Sequence, residues 1–395
     1  MNIYVDNAAT TKVSETAITA MLPYFNQIYG NPSSLHSAGQ LAAESLLMAR
    51  ETIANVFGCS PKEIIFTSGG SEANNQALLS AAEIGKKKNK KHIISSTIEH
   101  HSILHTLEKL KKQGFEITLL NAHKNGIIHP DELIASIRPD TIFVTIMYAN
   151  NEIGSIQPIA ELGKICQEHG ILFHTDAVQA AGHIKIHVKK ENIDMLSLSA
   201  HKFHGPKGIG ILYAKHGIPL TNLIEGGAQE RGKRAGTENL PAIIGMAAAL
   251  QEAAEHMDKT AAKLIPLRDR LIEGLTEIPH TVLNGDPIWR LPNNVHVCFE
   301  GIEGESLLLL LNNKGIYASS GSACTSGSLD PSHVLLAIGQ PHEIAHGSLR
   351  LSLSEENTIE EVESIIKITK ESVTYLRGMS PIWKDLQEGK RNYVI

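Results

Sequence analysis

The sequence predicts an α/β protein: a large, mainly parallel sheet domain flanked by helices, with a smaller α+β domain. Three observations carry that prediction. Apolar, strand-like runs alternate with helix-period stretches from about residue 60 to residue 215, as in strands joined by crossover helices. A long segment rich in Ala, Leu, Glu and Lys follows Pro241 and reads as one helix. Beyond it, short segments alternate with period two, the pattern of antiparallel strands.

Taken in order, the strand-like runs fall at residues 63–67, 92–96, 141–146, 171–174 and 195–198, with helical stretches at 74–82 and 159–169 between them. Residues 208–213 read as a further strand that returns the chain to the sheet. The lysine-rich run 86–91 marks a solvated connection after a helix. The long helix extends from residue 242 to about 275, and residues 295–299 and 348–352 read as strands of a half-exposed antiparallel sheet. The expected division is a large domain at 13–259 and a small one formed by 1–12 together with 260–395.

Composition narrows the function classes. Apolar content of 42% and charged content of 20% suit a soluble globular chain of 395 residues. A net charge of −6 gives no electrostatic reason to expect nucleic acid or an anionic membrane. No apolar run approaches the roughly 20 residues of a membrane span, and no secretory leader is legible. Cys59, Cys166, Cys298 and Cys324 are widely spaced, with no C-x-x-C pair. That spacing argues against a disulfide framework or a self-contained zinc site, so a reducing cytoplasm is the expected compartment.

The most informative stretch is Ser199-Ala-His-Lys-Phe-His-Gly-Pro-Lys-Gly208, preceded by Asp176-Ala-Val-Gln179. A lysine amine, an upstream carboxylate and nearby hydroxyl and imidazole groups are the parts that hold pyridoxal phosphate (PLP) as a Schiff base. Lys202 lies between His201 and His204, where burial and neighbouring cations would lower its pKa; the rival Lys207 sits in a Gly-Pro-Lys-Gly turn and reads as exposed. Asp176 closes a strand at the edge where open α/β sheets bind ligands. It can pair with a pyridine nitrogen or merely cap the next helix, and Gln179 could reach the ring oxygen. In Thr67-Ser-Gly-Gly-Ser71-Glu72, the amides around Gly70 and Ser71 open a helix and could cradle a phosphate; the alternative makes Ser71 an ordinary N-cap. Ser199 and His201 could contact the same phosphate.

Five further residues follow from their settings. His100 comes after a strand and could stack on the ring and shuttle a proton, or be structural. Asn151, in the segment 150–154, could bind substrate or the ring oxygen. Arg350 has no acidic residue immediately beside it, and its fork suits an α-carboxylate; a structural ion pair to a distant acid is the alternative. Thr237 lies in a polar loop and could reach a phosphate, including a neighbouring subunit's. Cys324, in Ser319-Ser-Gly-Ser-Ala-Cys-Thr-Ser-Gly327, has almost no apolar neighbours and reads as an exposed, nucleophilic thiol. A PLP lysine with a loop thiol points to removal of sulfur from an amino acid.

Together these segments resemble the cysteine desulfurases among the class V, fold type I PLP enzymes. The resemblance runs from Asp6-Asn-Ala-Ala-Thr-Thr11 to Ser380-Pro-Ile-Trp383. The pairing of Ser-Ala-His-Lys with Ser-Ser-Gly-Ser-Ala-Cys-Thr-Ser favours the NifS/IscS-like branch, which has a long mobile cysteine loop, here about 319–332. The resemblance implies that Lys202 carries PLP and Cys324 carries a persulfide. It implies that Gly70, Ser71, His100, Asp176, Gln179, Ser199, His201 and Thr237 hold the cofactor, and that Asn151 and Arg350 bind L-cysteine. Lys202 and His100 would move protons, and L-alanine would leave. A homodimer, and a sulfur acceptor such as an iron–sulfur scaffold protein, are expected as partners, with Cys324 a candidate iron ligand during transfer. Selenocysteine lyase and aminotransferase activities are the rival reactions; a non-catalytic sulfur-carrier or scaffold subunit is the rival from another class, and it predicts no bound chromophore.

Overall fold

A computed structural model describes residues 2–321 and 331–395. Cys324 and residues 322–330 of the expected cysteine loop lie outside the described residues. The N-terminal segment begins with β1 (Ile3–Tyr4), and seven strands then build one sheet: β2 (Ile64–Thr67), β3 (His92–Ser96), β4 (Glu116–Leu120), β5 (Thr141–Thr145), β6 (Leu172–Asp176), β7 (Met195–Ser199) and β8 (Gly210–Ala214). Their order is β2-β8-β7-β6-β5-β3-β4. Neighbours from β4 through β7 run parallel, whereas β8 is antiparallel to both β2 and β7. The strand read at 208–213 is this reversed return strand. The half-exposed edge strand β4 adds to the runs legible in the sequence.

Successive residues of these strands enter different cores, which is why the runs read as continuously apolar. Phe66, Ile94, Val144, Leu196 and Ile211 pack with Ile53, Phe57, Ile243, Met246 and Leu250. On the opposite face Ile65, Ile93, Phe143, Met195 and Leu212 meet Ala77, Leu78, Ala81, Ile103 and Leu107. Helices therefore cover both faces. The strands' polar ends, including Asp176 and Ser199, are left at one edge.

The long helix runs from Leu240 to Thr276, with Pro241 in its first turn, where a missing N–H costs nothing. At roughly 1.5 Å per residue it spans two cores. Ile243, Met246 and Leu250 belong to the large-sheet core, whereas Leu264, Leu267, Leu271 and Leu275 pack with Ile3, Val5, Val295, Val297, Leu349 and Leu351. The first residues and the C-terminal third thus share a core. It is built on β9 (Thr281–Leu283), β10 (Asn294–Phe299), β11 (Ile316–Tyr317) and β12 (Ser348–Ser352), where β12-β10-β9 is antiparallel and β1 pairs with β11.

This second sheet corrects one expectation. Its period-two strands are antiparallel but not half-exposed, since every residue of β10 and β12 is buried. Val295, Val297, Leu349 and Leu351 face the helices, while Asn294, His296, Cys298 and Arg350 alternate with them. That second set turns toward the large sheet's polar edge, so a face that reads as solvated is a buried wall.

Candidate active site

Between the two sheets lies a cavity of about 280 Å³ lined by Ala8, Ala9, Gly70, Ser71, Asn74, His100, Asn151, Asp176, Gln179, Ser199, His201, Lys202 and Arg350, among others. Of the described residues given a cofactor-binding, substrate-binding or catalytic role in the sequence reading, only Thr237 is not brought there. It is exposed and lies outside the lining.

Asp176 ends β6 and is buried. Its Oδ2 accepts a hydrogen bond from Asn74 Nδ2 at 2.6 Å, and its Oδ1 accepts from the Val178 N–H at 3.0 Å. Among the described residues no helix follows β6 directly for it to cap; the carboxylate instead organises the turn after β6 and lines the cavity. Two such bonds leave lone pairs for a cationic ring N–H. Asn74 also donates to Ser102 Oγ at 2.9 Å. It lies one turn after Gly70 in the helix Gly70–Lys87, so the residues that could receive a phosphate and a residue that holds Asp176 share one helical face.

That helix begins at Gly69, not Ser71. Gly69 is the N-cap, with φ +155°, a conformation that L side chains rarely adopt, and the Ser71 hydroxyl makes no capping bond. The Ser71 side chain is thereby left to the cavity, beside the first helical amides.

Lys202 lies on a 3₁₀ turn, Ala200–Lys202, directly after β7. Its Nζ donates to the carbonyls of Ala8 and Ala9, each at 2.7 Å. Gln179 Nε2 reaches the same Ala8 carbonyl at 3.0 Å. The segment from Asp6 to Thr11 therefore reaches across from the small core and fixes the lysine, a role invisible in its local sequence. Lys207 is exposed. The two flanking histidines do not act alike. Burial, with the charges of Lys202 and Lys207, holds His201 down to about 4, so it is neutral and not the cation expected from its position. Burial also works against the charge of His204, but Glu355 at 3.4 Å and the Lys12 carbonyl outweigh it and raise its pKa.

His100 caps the helix His101–Lys112: its Nδ1 accepts from the Ser102 N–H at 3.1 Å and lies 2.8 Å from Ser102 Oγ. A neutral ring so held carries its proton on Nε2. Structural and cavity-lining roles coincide here as well.

Arg350 is 2% exposed and forms the opposite wall. The alternative reading, an ion pair to an acid distant in sequence, is present here. Nη2 meets Asp6 Oδ1 at 3.0 Å, 344 positions away in sequence, and Nη1 donates to the Asn151 carbonyl at 3.1 Å. Its Nε is buried without a partner among the described residues. A guanidinium with one buried, unused donor beside a polar cavity can still receive a carboxylate.

These donors fit PLP: a helix N-terminus with Ser71, Ser199 and His201 for a phosphate, a braced carboxylate for the pyridine nitrogen, and a lysine between them. The family model for aminotransferase class-V matches residues 3–365. The chain belongs to that family, in its cysteine desulfurase branch. It is 55% identical over 380 residues to the cysteine desulfurase IscS of Methanosarcina thermophila, covering 96% of this chain and 94% of that protein. A cysteine desulfurase IscS of Clostridium botulinum is 50% identical over 391 residues, with 98% of each chain covered. Among solved structures, a NifS-like protein matches with a TM-score of 0.90 at 39% identity, covering 95% of this chain and all of that one. Another, titled SspA in complex with cysteine, matches at 0.79 and 36% identity over 90% of this chain and all of that one. Members of this family are PLP-dependent, so the protein's cofactor is PLP.

The remaining cysteines are no rivals for the chemistry. Burial pushes the Cys59 and Cys298 thiols up to about 12 and raises Cys166 further. Thiols held protonated are poor nucleophiles.

Proposed function

We infer that the protein converts L-cysteine to L-alanine and takes the sulfur onto Cys324 as a persulfide. The observation that carries this reading is one cavity that joins a lysine, a braced carboxylate and a buried arginine. The chain around it shares half its residues with cysteine desulfurases. Bound PLP supplies an electron sink for the pair released at Cα.

The chain's own residues do the rest. Asp176, held by Asn74 and the Val178 amide, keeps a proton on the pyridine nitrogen. Gln179 and His100 orient the ring, and Gly70, Ser71, Ser199 and His201 hold the phosphate. Arg350 and Asn151 bind the substrate α-carboxylate, and Lys202 Nζ takes the Cα proton. The Cys324 thiolate attacks the substrate sulfur: an S–S bond forms, the Cβ–S bond breaks, and its electron pair stays with the carbon fragment. Protonation there, with His100 Nε2 as donor, yields L-alanine. Atoms balance as cysteine plus thiol giving alanine plus persulfide.

In this reading residues 13–259 form the PLP-binding domain and residues 1–12 with 260–395 the small domain, a division supported by the two cores meeting along the Leu240–Thr276 helix. A homodimer places the exposed Thr237 at a neighbouring chain's phosphate. Phe25, Tyr29, Leu35 and Met48 are exposed apolar side chains that such pairing could cover. No helix among the described residues is long and apolar enough to cross a membrane. With Cys59, Cys166 and Cys298 all free, a cytoplasmic setting is the one we assign. The persulfide passes to an acceptor such as an iron–sulfur scaffold protein, with Cys324 the candidate iron ligand in that transfer.

The test is turnover of L-cysteine under reductant, wild type beside Cys324→Ala. Alanine and sulfide should appear together, and the variant should lose both while keeping the yellow of bound cofactor. A wild type that binds PLP but releases no sulfide rejects the reading. A variant with full turnover favours an aminotransferase.

A further inference from the structure

Glu152 has no part in the chemistry above, yet it is a buried carboxylate next in sequence to the cavity-lining Asn151. The turn that carries it is held by hydrogen bonds. Asn150 Oδ1 accepts from the Glu152 and Ile153 amides at 2.8 and 3.0 Å, and Asn294 Nδ2 donates to the Glu152 carbonyl at 3.1 Å. Two ends of one chain segment converge on its side chain. Ser332, just after residues 322–330, lies with its Oγ 2.5 Å from Glu152 Oε2. The same Oγ accepts from the Val334 and Leu335 amides as the N-cap of the helix His333–Ala337. Its lone pairs are thus engaged, and its single proton points at the carboxylate. Gly321, just before residues 322–330, packs so closely that a Cβ there would come within 2.5 Å of Glu152 Oε2 and 3.0 Å of His296 Nε2.

The surroundings make this contact electrostatic as well as steric. His296 lies opposite Arg350 in the β10–β12 pairing. Its Nδ1 accepts from Asn284 Nδ2 at 2.9 Å, so the neutral ring carries its proton on Nε2, which is buried without a partner among the described residues. The charged and titratable groups facing Glu152 are Arg350 on β12, His296 and Cys298 on β10, and His100 at its helix start. Burial raises the Glu152 carboxyl to about 7, against Ser332, Arg350 and His100, which favour its charge.

We propose that Glu152 is a positioning residue for sulfur transfer, a clasp that fixes both ends of the Cys324-bearing segment, at Gly321 and Ser332, beside the substrate-binding Arg350. This rests on the desulfurase reading. Through Asn151, whose carbonyl accepts from Arg350, the same turn joins the clasp to the substrate's carboxylate site.

The experiment compares wild type, E152Q, S332A and S332T as cofactor-loaded proteins. It reads the single-turnover rate of persulfide formation on Cys324 and the hydrogen exchange of the Val334 and Leu335 amides. E152Q and S332A should each slow persulfide formation at least about tenfold, within the roughly hundredfold cost of misplacing a reacting group by an ångström. The cofactor's absorbance change on adding L-cysteine should stay as in wild type. The double variant should be no slower than the worse single one. S332T, which keeps the hydroxyl, should recover the rate. E152Q should speed exchange at both amides although it leaves the N-cap oxygen in place. Wild-type transfer rates in E152Q and S332A overturn the proposal. So do strictly additive losses, or an equal loss of the absorbance change, which marks general damage. If E152Q does not fold, the S332A and S332T pair decides by the same criteria. A wild type that forms no persulfide rejects the desulfurase reading instead, a result distinct from all of these.

Discussion

The two walls of the cavity are built in opposite ways. On the large-sheet side, polar groups stand at the ends of fully apolar strands: Asp176 closes β6, Ser199 closes β7, and Lys202 follows in the next turn. On the small-sheet side they stand in mid-strand. His296 and Arg350 occupy the inner face of β10 and β12, and the Arg350 partners Asp6 and Asn151 come from far along the chain. The first wall uses the edge that any open sheet offers a ligand. The second exists only once two cores have docked, so its charges rely on one another.

The comparison can be broken first at its strongest point. Lys202→Ala should lower kcat by about 10²–10⁴-fold or more, as expected for removing a covalent and proton-transferring group. Lys207→Ala, in the exposed turn that follows, should leave kcat unchanged. Arg350→Lys keeps the charge but not the fork, and should raise KM for L-cysteine by roughly ten- to a hundredfold, the cost of one or two charged hydrogen bonds. Equal losses of kcat and PLP affinity in that variant would show that the second wall holds the cofactor rather than the substrate. Asn74→Ala removes one of the two bonds to Asp176 and should weaken PLP binding about tenfold, read by equilibrium titration of the cofactor's absorbance.

A smaller effect sharpens how each wall tolerates burial. Glu99 is fully buried behind the first wall. Its Oε1 accepts from Ser96 Oγ at 2.5 Å and from the Met147 amide at 2.9 Å. Burial raises its carboxyl to about 8, those two bonds opposing. The folded protein therefore holds this proton longer than the unfolded chain does. The stability it contributes is complete below about pH 4.5 and is lost as pH rises toward 8, by about 1 kcal/mol per unit. Glu99→Gln should flatten the fall of Tm across that window, and an unchanged slope would show that other groups set it. Asp6→Asn should give the smallest change, a lower KM for L-cysteine, because it frees Arg350 from a competing carboxylate.

What the sequence made legible follows the same division. The large sheet's strands and the chemistry at their ends could be read because apolar runs and their terminal polar residues are adjacent in the chain. Asn74 escaped notice because its value lies in a bond to a residue 102 positions away, although its spacing from Gly70 was a usable signal. Arg350 was found, but its partner Asp6 was not, and the strands around it read as solvated. Period two tells which residues share a face and not what covers that face. The Ala8 and Ala9 carbonyls carried no signal at all, since backbone acceptors look alike in any sequence. His201 misled for a further reason: burial, with the charges of its neighbouring lysines, keeps it neutral, and position alone cannot show that.

The most direct test of the cavity is the site of cofactor attachment. Borohydride reduction of the yellow protein, followed by peptide mapping, should place the pyridoxyl group on Lys202 alone. A label on Lys207, or none on either lysine, would contradict the account at its centre.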